Sequence, residues 1–351
     1  MKKINVNASK SYEVIIAAEI LSDVGAIIRN TSGGQIAAVI TDDIVDSLYS
    51  ERLIDSLSQS DYNVVKYVIP NGEASKNGEQ FLSIINFLAT EKLSRTDVVV
   101  GFGGGVVGDL AGFAAASYMR GVKFVQIPTT LLSAVDSSVG GKTAINISAG
   151  KNLAGAFYQP SAVICDIDLL ASLSSELYQD GCAEMIKHGV IADRELFDSY
   201  LTPIHSQYEE TIARNVIIKS DIVANDEFET GVRKLLNFGH TIGHAIEKLS
   251  DYKVSHGRAV AAGMAIETRM AHSMGLCDAD CLCGMIDTLK LYDLPTSTDF
   301  NASELAETCL SDKKRDGGKI TMVFPVKIGE CILHDMPVSE LESLIQSGLG
   351  G

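Results

Sequence analysis

A chain of 351 residues exceeds what one hydrophobic core usually organises, so two domains are expected. With 46% hydrophobic and 21% charged residues, 7 prolines and no tryptophan, the composition excludes disordered, collagen-like and low-complexity classes. Lysine and arginine total 29 against 45 acidic residues, a formal charge of -16 that argues against nucleic acid or an anionic membrane as partner. Small anionic ligands stay compatible with this charge, because screening limits distant surface carboxylates to a reach of about 8 Å at physiological salt.

The opening MKKINVNASKSYEVIIAAEI has a basic start but lacks the continuous apolar segment of a signal peptide. Ile36–Ile40 is a short apolar run ending in Thr41-Asp42, and Asn63–Ile69 runs into the turn signal Pro70-Asn71-Gly72. Phe81, Ile84, Ile85 and Leu88 give residues 78–93 a helical period. Asp97–Val100, a glycine cluster, a small-residue helix over 106–119 and the strand Lys123–Ile127 follow. Strands alternating with helices predict βαβ units and a parallel sheet. The most apolar tract, Val98 to Ala116, is cut by six glycines and Asp109 and does not read as a membrane span. Beyond about residue 173, helical periodicities dominate at 176–200, 206–226, 233–250, 257–275 and 280–292, with one strand signal at Ile320–Phe324. The expected architecture is an α/β dinucleotide-binding domain with a parallel sheet over 1–173. A mostly α-helical domain over 174–351 follows it, with chemistry in a cleft between them.

Residues 101–155 hold 11 of the 31 glycines, so backbone access matters there. Gly103-Gly104-Gly105-Val106-Val107-Gly108 matches G-x-G-x-x-G between a predicted strand and a predicted helix. Its glycines let backbone approach a pyrophosphate at a helix N-terminus, and they serve equally for close helix–strand packing. No acidic residue ends the next strand, so a ribose partner must come from elsewhere. Asp42 is the candidate, and an aspartate after a strand is also a common helix N-cap. Asp136–Thr143 resembles the end of a P-loop, but Asp136 stands where the first glycine belongs and no apolar strand precedes it, which argues against an ATPase.

The histidines carry the sharpest signal. His240 and His244 are four apart and share a helix face, with Glu247 just beyond and His256 twelve residues after His244. Thr241 occupies the place of the general base in H-E-x-x-H, so this is not a zincin. Glu184 and Lys187 lie one helical turn apart upstream. Three histidines within 17 residues point to a metal site built from histidine and carboxylate, and spacing leaves open which three ligands are used. Cys277, Cys281 and Cys283 cluster without a second Cys or His pair at structural-zinc spacing, and are expected as reduced thiols on a helix. Over 110–165 the single acid Asp136 faces Arg120, Lys123, Lys142 and Lys151, a local charge of about +3 that favours an anion site.

The blocks GFGGGVVGDLAGFAAASYMRG, IPTTLLSAVDSSVGGKTAIN, GKNLAGAFYQP, CAEMIKHG, RKLLNFGHTIGHAIE and SHGRAVAAGM resemble those of the 3-dehydroquinate synthase family, most densely over 97–270. The resemblance implies conversion of 3-deoxy-D-arabino-heptulosonate 7-phosphate to 3-dehydroquinate and phosphate, a step of the shikimate pathway. It implies transient oxidation by NAD, phosphate elimination, re-reduction and intramolecular aldol closure, with one divalent metal, zinc or cobalt. The implied metal ligands are Glu184, His240 and His256, leaving His244 as an acid–base group and Glu229 as a second candidate. Implied NAD contacts are Asp42, Glu73, Lys76, Gly104, Gly105, Asp109, Thr129 and Thr130, with Lys142 and Lys151 alongside. Implied substrate contacts are Lys142, Lys151, Asn152, Lys187, Lys219, Arg233, Asn237 and one of Lys313 or Lys314, of which Lys142, Lys187, Arg233 and Asn237 also serve catalysis. The family further implies a cytoplasmic homodimer, with Arg120 reaching the neighbouring site. Ile44 departs from the family pattern, where a polar residue often stands two positions after the strand-end aspartate. An alcohol dehydrogenase of similar architecture needs fewer cations and accumulates NADH. A sibling cyclase acts on a substrate without a carboxylate, and a non-catalytic NAD module has no use for the metal and acid–base residues together.

Overall fold

The computed structural model describes residues 1–202, 207–313 and 318–349, the side chains of 311–313 excepted. The chain divides into two compact units, one of residues 1–173 with 207–227 and one of 174–206 with 228–351.

In the first unit, β1 (Lys2–Val6) and β2 (Tyr12–Ala17) pair antiparallel, with Lys2 opposite Ile16 and Val6 opposite Tyr12. Then come α1 (Val24–Arg29), β3 (Ile36–Asp42), α2 (Asp43–Gln59), β4 (Asn63–Ile69), α3 (Gly78–Thr90), β5 (Val98–Gly103), α4 (Gly105–Ser117) and β6 (Lys123–Pro128). A hairpin of β7 (Lys142–Ile147) and β8 (Gly150–Phe157) precedes β9 (Ala162–Asp166). The seven-stranded sheet runs β1-β2-β9-β6-β5-β3-β4, parallel throughout except for β1 on β2. β5 is buried along its whole length, which is why its sequence reads as a continuous apolar run. One core packs α1 and α2 on one face through Val24, Ile28, Leu53 and Leu57. The other packs α3 and α4 on the opposite face through Ile84, Leu88, Leu110 and Ala114.

From β3 the chain moves outward to β4, then returns to the other side of β3 for β5 and on to β6. The strand order therefore reverses between β3 and β5, and the crevice at their carboxyl ends is where doubly wound sheets take ligands. Asp42 ends β3 and the glycine turn ends β5, so the topology brings these two sequence signals together.

The second unit holds α5 (Ser175–Ala192), α6 (Arg194–Ser199), α8 (His240–Leu249), α9 (His256–Ser273), α10 (Ala279–Leu291), α11 (Ala302–Lys313) and α12 (Leu341–Leu349). An antiparallel hairpin, β10 (Lys319–Lys327) with β11 (Glu330–Pro337), precedes α12. The helix α7 (Tyr208–Asn225) departs from the expected boundary at 173/174 and belongs to the first unit. It packs on β1 and β2, and Lys2 pairs with Glu210 at 2.6 Å. The single helix expected over 176–200 breaks at Asp193, which is extended and caps α6 by accepting from the Leu196 amide.

Asp97, at the entrance to β5, ties this sheet to its neighbouring loop. It is 3% exposed, and its Oδ1 accepts from the amides of Gln35 and Ile36 at 2.7 and 2.9 Å. Oδ2 accepts from the amide and hydroxyl of Ser94 at 2.6 and 2.7 Å. Burial alone would raise its pKa, but the donors prevail and hold the carboxyl below its ordinary value. A depressed folded-state pKa contributes stability that is present above the unfolded value and lost as pH falls through the folded one. Asp97→Asn is therefore expected to lower stability at pH 7 by about 1–2 kcal/mol. The gap from the parent should close as pH drops below about 4, as urea unfolding at a series of pH values would show.

Candidate active site

On α5, Asp180, Glu184 and Lys187 follow one another at four- and three-residue spacing and so share a helix face. The Glu184 carboxylate is 2% exposed and ion-paired with Lys187, itself buried. Its Oε1 lies 3.5 Å from Nε2 of His240 and 3.3 Å from Nε2 of His256. One ligand atom from each of Glu184, His240 and His256 falls within 4.8 Å of the others. Two imidazoles and one carboxylate form a donor set suited to zinc or cobalt.

His240 is the first residue of α8 and His256 the first of α9. The helix expected over 233–250 is in fact a 3-10 turn over Val232–Asn237, a break at Phe238-Gly239, and then α8. Gly239 sits at φ 77, and its amide donates to Oε2 of the fully buried Glu267 at 2.7 Å, which starts α8 at His240. Glu267 belongs to α9, and a Cβ at Gly263 of that helix would stand 2.0 Å from the Gly239 carbonyl oxygen. The two helices thus meet backbone to backbone where the histidines begin. At the start of α9, Asp180 Oδ1 accepts from the Ser255 hydroxyl at 2.6 Å and the Gly257 amide at 2.9 Å, fixing His256 beside α5.

Burial, then the nearby Lys187 ammonium, push His240 down to about 3, so its imidazole is neutral at pH 7, the form that binds a cation. Burial also disfavours charge on His256, but its hydrogen bonds to Glu184 and Glu247 outweigh this and raise it to about 10. His244 is exposed one turn after His240, with ring centroids 5.4 Å apart. His240 and His244 line a cavity of about 680 Å³ together with Glu229, Asn237, Lys234 and Lys248. Asn237 donates to Oε1 of Glu229 at 2.6 Å. Arg233 is buried in the 3-10 turn beside them. Four of the residues singled out in the sequence therefore share one cavity wall. Lys313 ends α11 and Lys314 follows it, and the side chains of both lie outside the described residues.

In the first unit, Gly104 is the N-cap of α4 and brings no side-chain acceptor to its first turn. A Cβ at Gly108 would stand 2.7 Å from Oε1 of Gln126 on β6, so this glycine serves helix–strand packing. The Thr129 amide donates to the Gly103 carbonyl at 3.1 Å, and the Thr130 hydroxyl lies 2.8 Å from that of Ser133. Asp42 caps α2, with Oδ1 accepting from the Ile44 and Val45 amides at 3.0 Å each, while the Ile44 side chain is exposed. Lys76 donates to Oδ2 of Asp109 at 2.5 Å and to Oδ1 of Asn152 at 2.6 Å. Burial pushes the Asp109 carboxyl up, against the pull of Lys76. Asn146, missed from sequence, links this group by donating to Glu73 at 2.7 Å and accepting from the Asn152 amide at 3.0 Å. Asn152 itself holds φ 56. Lys219 pairs with Asp136, Lys142 is exposed at the start of β7, and Lys151 is half-buried on β8. Arg120 is exposed at φ 66 after α4. The P-loop-like segment leads into the strand β7 rather than the helix an ATPase needs. Cys277 and Cys281 are buried thiols, Cys283 is exposed, and no metal-holding group among the described residues includes a cysteine.

Residues 66–180 match the family model for the 3-dehydroquinate synthase N-terminal region, and residues 181–315 match that for its C-terminal region. The 3-dehydroquinate synthase of Streptococcus suis (strain 05ZYH33) is 39% identical over 353 residues, covering 98% of this chain and 99% of its own. Among solved structures, 2-epi-5-epi-valiolone synthase (ValA) from Streptomyces hygroscopicus subsp. jinggangensis 5008, with NAD+ and Zn2+ bound, is similar at TM-score 0.87. It is 26% identical, covering 99% of each chain. A 2-deoxy-scyllo-inosose synthase complexed with carbaglucose-6-phosphate, NAD+ and Co2+ shares the fold at TM-score 0.88 and 23% identity, covering 99% of this chain and 100% of its own. The fold is thus that of NAD-dependent sugar-phosphate cyclases. Within that class, the chain belongs to the 3-dehydroquinate synthase family.

The backbone contact under the histidines is open to a direct check. Gly263→Ala is expected to destabilise the protein by about 1–3 kcal/mol, since the new methyl meets a carbonyl oxygen rather than a movable side chain. Gly284→Ala on α10, where a Cβ meets nothing within 4 Å, should instead stabilise by about 0.5–1 kcal/mol. Paired urea unfolding curves decide, and equal effects of the two variants would remove the close-packing account.

Proposed function

We propose that this chain is a 3-dehydroquinate synthase, converting 3-deoxy-D-arabino-heptulosonate 7-phosphate to 3-dehydroquinate and phosphate, with NAD and one divalent metal as cofactors. The observation that carries the reading is the buried Glu184 carboxylate facing Nε2 of both His240 and His256, in a chain of this family over nearly its full length. When bound, the metal supplies Lewis-acid polarisation of substrate hydroxyls and NAD supplies a transient hydride acceptor.

The chain's own residues do the rest. Glu184, His240 and His256 hold the metal. Asp42, Glu73, Lys76, Gly104, Gly105, Asp109, Thr129 and Thr130 hold NAD at the reversal of strand order, and the uncapped first turn of α4 suits a pyrophosphate. Lys142, Lys151, Lys187, Lys219, Arg233 and one of Lys313 or Lys314 neutralise the substrate carboxylate and phosphate, while Asn152 and Asn237 hydrogen-bond its oxygens. His244 takes up and returns a proton at its ring nitrogen, and Glu229, oriented by Asn237, is the second proton carrier. Lys187 and Arg233 are buried, so their charges act on a bound anion with little screening by solvent. In the same reading the enzyme is a cytoplasmic homodimer, with Arg120 of each protomer reaching the neighbouring site.

Phosphate release from the heptulosonate phosphate tests the reaction. Turnover should need NAD, stop with chelator and leave no net NADH; steady NADH accumulation would overturn the reading in favour of a dehydrogenase. The two helix-sharing histidines should separate: His240→Ala loses metal, whereas His244→Ala keeps it and loses roughly 10²–10⁴-fold in kcat. Metal analysis beside kinetics of both variants checks this, and metal loss from His244→Ala would reassign the ligands.

A further inference from the structure

Beyond the three ligands, one more buried acid faces the same ring. Glu247 lies on α8, three residues after His244, and is 4% exposed. Its Oε2 lies 3.2 Å from Nδ1 of His256, while Nε2 of that ring faces Glu184 at 3.3 Å. The two nitrogens of one imidazole therefore meet carboxylates from two different helices. We infer that Glu247 is a positioning residue for the metal ligand His256, holding its Nδ1 proton so that, when a cation takes the place of the Nε2 proton, the Nε2 lone pair is already aimed beside Glu184. This rests on the reading that Glu184, His240 and His256 hold the metal.

The chemistry requires such an acceptor. A neutral imidazole that binds a cation through Nε2 carries its proton on Nδ1, and a buried N–H without an acceptor is costly. The second histidine supplies an internal comparison. His240 also turns Nε2 toward Glu184, and its Nδ1 lies 3.1 Å from the carbonyl oxygen of Phe238. Both ligand rings are thus held the same way, one by a backbone carbonyl and one by a carboxylate. The carboxylate adds charge as well as direction, which raises the basicity of the ligating nitrogen. His244, Glu247 and His256 also offer ligand atoms within 4.8 Å of one another. A cation there would take the Nδ1 lone pair of His256, and Nε2 could then bind the first cation only as a bridging imidazolate. The protonated Nδ1 requires no such species.

The test compares the parent with Glu247→Gln, Glu247→Ala and His256→Ala, each loaded with Co2+ and checked for folding by thermal melts. Chelator competition gives affinity, elemental analysis gives stoichiometry, and the visible Co2+ bands report ligand geometry. Glu247→Ala should bind one Co2+ per chain roughly 10–100-fold more weakly, with shifted bands. Glu247→Gln, whose amide oxygen still accepts from Nδ1, should fall between Ala and parent, and it carries the test where Ala does not fold. His256→Ala should lose the metal. Parent affinity and bands in both Glu247 variants, with metal lost in His256→Ala, overturn the inference while leaving the ligand set standing. Two metals in the parent, one of them lost with Glu247, overturn it by making Glu247 a ligand. Metal retained by His256→Ala overturns the ligand set and this inference together.

Discussion

The close approach of α8 to α9 is the constraint on which the site in the second unit depends. A Cβ at Gly263 would stand 2.0 Å from the Gly239 carbonyl oxygen, and one at Gly243 would stand 3.0 Å from the Val260 Cα. At such separations the helices meet through backbone, and only glycine leaves the space. His240 and His256 each open one of these helices, so the glycine contact sets how far apart the two rings lie, 5.3 Å between centroids. Helix–helix packing has few allowed arrangements, because side chains must interdigitate at near-crystalline density. A ligand set carried on packed helices is accordingly held more firmly than one carried on loops.

Buried carboxylates gather around this contact, and each has a counterpart. Glu184 meets Lys187 and two imidazoles, Glu247 meets His256, and Glu267 meets the Gly239 amide. Taking a carboxylate out of water is costly unless donors replace its hydration, so such groups persist where they organise something. Here they organise the ends of α8 and α9. The whole-chain charge of -16 says nothing about this, since screened surface carboxylates have little reach to the buried pair of Glu184 and Lys187.

What the sequence made legible follows from which forces are local. Val98–Gly103 and the small-residue helix after it were visible because a fully buried strand and a tightly packed helix leave composition signatures. The strands Lys2–Val6 and Glu330–Pro337 were missed because they carry polar residues on a solvent-facing side. β7 and β8 were hidden by their glycines, lysines and asparagines, which have poor strand propensity. The break at Gly239 was obscured by Leu235, Leu236, Phe238 and Ile242, whose apolar spacing imitates a continuous helix; the Glu267 carboxylate that enforces it lies 28 residues away. His240 and His244 could be placed on one face from spacing alone. Joining Glu184 and His256 to them needed three separate helices to converge, which no periodicity encodes. Asp42 shows the opposite case, a strand-end aspartate whose helix-cap role was legible from its position alone. Its Oδ1 caps α2, and that bond orients the same carboxyl at the end of β3.

The two helices also hold each other's histidine-bearing ends. Glu247 belongs to α8 and steadies His256 at the start of α9, whereas Glu267 belongs to α9 and steadies Gly239 at the start of α8. One residue of helix rotation turns a side chain by about 100°, so a slip in either helix would break both bonds and both ligand positions together. In the proposed reading, a divalent cation held by Glu184, His240 and His256 would stabilise these same helix ends, which would link metal affinity to local folding free energy. The glycine contact, the two carboxylates and the cluster of Glu184, His240 and His256 therefore act as one structural unit, and His244, one turn along α8, lines the neighbouring cavity.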